Sequence, residues 1–196
     1  MAPSAARSRQ CRMFSAFLTT TGLIAIAEIG DKTQLLSLLL TARFRRPWPI
    51  LAAILVATIA NHVLAAWIGV WLQHWLTPNI LRWVLGVSFL AMAVWTLIPD
   101  KLDDMPAPSR WGAFCTTLVA FFIAEIGDKT QLATTALAAR YDSVAMVAMA
   151  STIGLMLANM PVVLLGEKLM ARLPLRPVRY LAAAAFALLG VMVLLR

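Results

Sequence analysis

Six long apolar runs, separated by short polar breaks, fill almost the whole chain. They cover residues 14–40, 50–71, 82–98, 111–138, 143–165 and 178–195. A helix needs about 20 apolar residues to cross a bilayer. The runs are continuous and show no period of two, which argues against a barrel. The pattern predicts an all-α polytopic membrane protein with six transmembrane helices. Pro47 and Pro49 should stop one helix and start the next, and Thr77-Pro78-Asn79 reads as a turn. Trp67, Trp71 and Trp75 gather at the end of the second run, as interfacial anchors do.

The runs fall into two sets of three. A basic segment, 1–13, leads into a first unit at 14–98. A polar linker at 99–110, with Asp100, Lys101, Asp103, Asp104, Pro106 and Pro108, separates it from a second unit at 111–196. At a constant offset of 97, Phe17 pairs with Phe114, Thr20 with Thr117, Gly69 with Gly166 and Phe89 with Phe186. Three spans is an odd number, so the second unit is expected to enter the membrane from the opposite face. The result is a pair of inverted repeats.

Ten residues are repeated without change. Ile-Ala-Glu-Ile-Gly-Asp-Lys-Thr-Gln-Leu stands at 26–35 and again at 123–132, in the middle of the first and fourth runs. On an unbroken helix Glu28, Asp31 and Lys32 would share one face, as would Glu125, Asp128 and Lys129. Each charge at a helix centre costs about 2.5–3.5 kcal/mol on insertion scales, so these six side chains must face one another, water or a ligand. Inversion would bring the two copies to the same depth.

Four carboxylates and two ammonium groups complement one divalent cation. Glu28, Asp31, Glu125 and Asp128 are the candidate metal ligands, with Thr33, Gln34, Thr130 and Gln131 supplying further oxygens nearby. Hard oxygens suit manganese, calcium or magnesium and serve copper or zinc poorly. Gly30 and Gly127 would let each helix unwind locally and offer carbonyls. Lys32 and Lys129 are expected to hold the carboxylates when no metal is bound, with Glu28–Lys32 a favourable pair. Internal salt bridges that merely lock the bundle are the bland reading, but each copy brings two acids for one lysine. Asn61 and Asn159, on the second and fifth runs, could add neutral oxygens or hydrogen-bond across helices. His62, which pairs with Asn159 at the offset of 97, reads as a packed polar group.

Composition narrows the picture further. Residues are 61% hydrophobic and 13% charged, with mean hydropathy +0.81, far from the roughly one-quarter charged of soluble domains. The net charge of +8 does not point to nucleic acid, because the arginines sit in short connections where membrane orientation requires them. Arg43, Arg45, Arg46, Lys101, Arg110, Lys168, Arg172, Arg176 and Arg179 lie on one side. Arg7, Arg9, Arg12, Arg82, Arg140 and Arg196 lie on the other. The richer side is expected in the cytoplasm and both termini outside, although Arg7, Arg9 and Arg12 pull against this. Ala25-Ile26-Ala27 resembles a signal-peptidase site, but it belongs to the repeat, so the first helix is expected to be retained. Cys11 and Cys115 form no framework.

The segment Glu-Ile-Gly-Asp-Lys-Thr, at 28–33 and 125–130, resembles the E-x-G-D-[KR]-[TS] signature of the Gdt family, formerly uncharacterised protein family sixteen. The resemblance covers essentially the whole chain. It implies a secondary transporter of manganese, and in some members calcium, that exchanges cation for protons. It carries the family's motif acids onto Glu28, Asp31, Glu125 and Asp128. The short N-terminal segment suggests a bacterial inner membrane. Metal and protons would compete for the same oxygens, since a carboxylate removed from water holds its proton more tightly and a cation displaces it. Manganese export by alternating access is the expected function, with no cofactor and no enzymatic chemistry. A calcium–proton antiporter, an acidic-ring channel and a small-molecule exporter are the competing readings.

Overall fold

Capping residues and prolines, more than the ends of the apolar runs, set the helix boundaries. The computed structural model describes residues 3–99, 112–166 and 174–195. Most of the expected linker at 99–110 and the Lys168 and Arg172 positions lie outside the described residues. Every regular element among those described is a helix: α1 (Pro3–Glu28), α2 (Lys32–Phe44), α3 (Pro47–Trp75), α4 (Pro78–Thr96), α5 (Gly112–Glu125), α6 (Lys129–Tyr141), α7 (Val144–Leu165) and α8 (Leu175–Leu194).

Pro47 and Pro78 each begin a helix, where the missing N–H would be unsatisfied anyway. For that reason α3 and α4 start several residues earlier than the apolar pattern suggests, and the turn before α4 shrinks to Leu76 and Thr77. At the other end of α2, Arg45 takes a left-handed conformation and its N–H closes on Thr41 O at 2.9 Å. Asp142 does the same after α6, on Ala138 O at 2.9 Å. The starts of α2, α3 and α4 recur in α6, α7 and α8 at the offset of 97.

The first and fourth runs are not single helices. Each is broken inside the ten-residue motif, and α1 and α2 meet at a bend of 65°. α3, α4, α7 and α8 are long and apolar enough to cross a membrane, and the α1/α2 pair makes a fifth span if counted as one. α5, at 14 residues, is shorter. The chain is a multi-pass helical membrane protein, and large apolar side chains cover its outside, including Trp67, Trp71 and Trp75.

The two halves interlock. α1 lies against α7 and α5 against α3, while α3 also contacts α6 and α7, and α4 lies along α8. Gly154 of α7 and Gly69 of α3 permit the closest approaches: an added Cβ would sit 2.6 Å from Thr21 O and 2.1 Å from Thr135 O respectively. Small residues at such crossings are how helices associate without a hydrophobic driving force. Two of the pairs matched by sequence share their burial, while Phe17/Phe114 and Gly69/Gly166 do not. Phe89 and Phe186 are both fully buried, as is Phe121, and Thr20 and Thr117 are buried too.

Candidate metal centre

Both breaks are built alike. Glu28 is the last residue of α1, and Gly30 then takes φ +81°, a conformation glycine alone adopts without strain. Asp31 follows as the N-cap of α2, its Oδ2 accepting from Thr33 N–H at 3.4 Å. In the second copy Gly127 has φ +73° and Asp128 caps α6 through Thr130 N–H, again at 3.4 Å. The motif glutamines complete the turn: Gly30 N–H donates to Gln34 Oε1 at 2.8 Å and Gly127 N–H to Gln131 Oε1 at 2.7 Å. This is a variant of the capping box, so part of the motif serves the fold. The expectation that Glu, Asp and Lys share one helical face is corrected here. The chain turns between Glu28 and Asp31, and the two acids belong to different helices.

The hydroxyl of each motif threonine spans the break. Thr33 Oγ1 lies 2.8 Å from Glu28 Oε2 and 3.5 Å from Asp31 Oδ2. Thr130 Oγ1 lies 3.4 Å from Glu125 Oε2 and 3.3 Å from Asp128 Oδ2.

The lysines cross between the halves. Lys32 Nζ reaches Asp128 Oδ1 at 3.0 Å, and Lys129 pairs with Asp31 Oδ1. The expected pair of Glu28 with Lys32 does not form, because the break carries Lys32 off the face of α1. With the motifs thus joined, Glu28, Asp31 and Asp128 each present one oxygen, all within 4.8 Å of one another. Glu125 stands beside this group but outside it. All four carboxylates are buried, and Oε1 of both Glu28 and Glu125 lacks a hydrogen-bond partner. An unpaired carboxylate oxygen in such surroundings is costly by several kcal/mol unless a proton or a cation joins it.

The asparagines separate in role. Asn159 Nδ2 approaches Glu28 Oε2 at 3.5 Å, and its Oδ1 accepts from Ser37 Oγ at 2.8 Å. Asn61 instead donates to Phe122 O at 3.2 Å, tying α3 to α5. His62 is buried, with Nδ1 3.4 Å from Thr152 Oγ1. Ser37 was not singled out in the sequence, although it lies one helical turn beyond Thr33. Thr96 carries no signal there either, and Arg179 reads only as a loop arginine. They line a cavity of about 10 Å³ together with Gly30, Asp31 and Lys129, room for no more than about one water.

The two sides of the site differ in exposure. The Lys129 side chain is 3% exposed and the Lys32 side chain 28%. Leu175 covers Gly30, within 3.0 Å of where a Cβ would lie, whereas Gly127 faces open space.

Comparison with known proteins agrees with this chemistry. The model of the family described as "Divalent cation/proton antiporter GDT1" matches residues 16–104 and 113–196. A Vibrio cholerae protein named "Putative manganese exporter" is 55% identical over 168 residues, covering 85% of this chain and 84% of its own. The "GDT1-like protein sll0615" of Synechocystis is 28% identical over 148 residues, covering 65% of this chain and 71% of its own. No solved structure matches. The chain therefore belongs to the GDT1 family of divalent cation/proton antiporters, which are transporters and not enzymes.

Proposed function

We propose that the protein exports manganese in exchange for protons, with Glu28, Asp31, Glu125 and Asp128 as the metal ligands. One observation carries the reading: three buried carboxylates, drawn from both halves, offer oxygens within 4.8 Å of one another, and the site contains neither sulfur nor imidazole. The name of the Vibrio relative supports manganese as the cargo.

In this reading the α1/α2 and α5/α6 pairs are each one broken span, which makes six spans in two inverted repeats. The matching helix starts at an offset of 97 and the reciprocal ion pairs support it. Broken helices meeting at mid-membrane are the form such sites take in secondary transporters. Without metal, Lys32 and Lys129 neutralise Asp128 and Asp31 across the interface. A divalent cation entering must displace the ammonium groups and any proton on the glutamates, which couples its binding to proton release. Thr33, Thr130 and Asn159 orient the acids, and Gln34 and Gln131 hold the turns. Rocking of the two repeats would expose the site first to the cytoplasm and then outside. The bacterial inner membrane is the proposed location, with the central linker cytoplasmic and both termini outside.

The test is reconstitution. Proteoliposomes given manganese outside should take it up while their lumen loses protons, and calcium at equal concentration should compete weakly. Manganese flux with no movement of protons would overturn the exchange mechanism and favour a channel.

A further inference from the structure

A cavity among the described residues lies away from the carboxylates, none of which lines it. It has a volume of about 1150 Å³ and runs between α1 and α8, bounded at one end by the turn that joins α6 to α7. Ala16 and Leu23 form one wall and Ala185, Leu188 and Leu189 the other. The end at the turn is different, because Arg140, Asp142 and Ser143 line it.

Such a lining does not suit a route for cations. The walls are mostly apolar, with Ser15 and Thr19 of α1 the hydroxyls among them, and a guanidinium stands at the polar end. Arg140 lies over the Tyr141 ring, 5.6 Å from its centroid, which leaves the guanidinium edge for hydrogen bonds. Its Nη1 is buried and has no hydrogen-bond partner. Neither Arg140 nor Asp142 is ion-paired among the described residues. The acid is not demanded by the turn, since Arg45 occupies the equivalent place after α2 with the same φ of 51°. One cation and one anion at the mouth of an apolar groove therefore form a pattern of their own, found in one half of the molecule only.

We propose that this groove binds a phospholipid with an ethanolamine headgroup. The phosphate accepts from the Arg140 guanidinium, whose planar donors suit it. The primary ammonium donates to Asp142, and an acyl chain lies between α1 and α8. A quaternary choline would lack the N–H donors that Asp142 can accept, and a glycerol headgroup would lack the positive charge.

Native mass spectrometry of the full chain, offered equal amounts of phosphatidylethanolamine, phosphatidylcholine and phosphatidylglycerol, tests this. The wild-type protein should retain one phosphatidylethanolamine and little of the others. Arg140→Gln should lower retention about tenfold, as expected for loss of a charged hydrogen bond. Leu188→Trp, which fills the groove from an exposed position, should lower it further. Asp142→Asn should keep lipid but lose the preference for ethanolamine, and this comparison stands even if Arg140→Gln does not fold. No lipid on the wild-type protein, equal retention of phosphatidylglycerol, or unchanged retention in Arg140→Gln would overturn the proposal.

Discussion

The two motif breaks have the same ten residues and nearly the same backbone, yet they sit in different surroundings. At the first, Gly30 lies under Leu175, and Asn159 reaches Glu28. At the second, Gly127 is open, and Glu125 stands outside the close group of three acids. Asp31 has a buried lysine for its partner and Asp128 a partly exposed one. Identical sequence therefore does not imply an equivalent role at one moment. Local rules fix the cap and the turn, while the rest of the bundle decides which half of the site is covered.

The comparison breaks first at the acids. Glu28→Gln or Asp128→Asn should each abolish manganese tolerance in an exporter-deficient cell while the protein still reaches the membrane. Damage to either copy should disable transport as a whole and not halve it. Wild-type tolerance in both variants would remove the metal assignment.

The lysines should divide next. Breaking a buried ion pair from one side typically costs about 3–5 kcal/mol, whereas a partly exposed pair is worth about 1 kcal/mol or less. Lys129→Met should thus lower the thermal unfolding midpoint of the purified protein far more than Lys32→Met. Equal shifts would mean that the difference in exposure has no energetic weight.

The glycines give the smallest expected contrast. Alanine at either position must hold a left-handed conformation, at about 1–2 kcal/mol. Gly30→Ala must also push against Leu175, so it should be slightly the worse of the two in the same unfolding assay. Leu175→Ala in the Gly30→Ala background should bring the two variants level.

Part of this is legible in the sequence. The all-helical class and the boundaries of five of the six apolar runs, within a few residues, follow from hydropathy and length. Local unwinding at Gly30 and Gly127 is legible from the glycines, but the full turn that parts Glu28 from Asp31 and Lys32 is not. Charges at i, i+3 and i+4 read as one helical face, and nothing in that spacing announces a turn. Yet Gly30 before Asp31, with Gln34 three residues further on, is a helix-start signal. It competes in the motif with the length of the apolar run, which argues for one span. The crossed lysine pairs lay beyond sequence reasoning altogether, since they depend on how α2 and α6 approach in space. Asn61 and Asn159 stand at nearly, not strictly, equivalent places in sequence, and packing gives them different partners: Asn159 faces a carboxylate and Asn61 a backbone carbonyl.

The reciprocal lysine–aspartate contact has the form of an isologous interface, in which residue i meets j and j meets i. One copy alone would lack the lysine and the aspartate that the other half contributes. The contact thus carries the reciprocity of a subunit interface within one polypeptide, each half supplying the lysine that meets the other's aspartate.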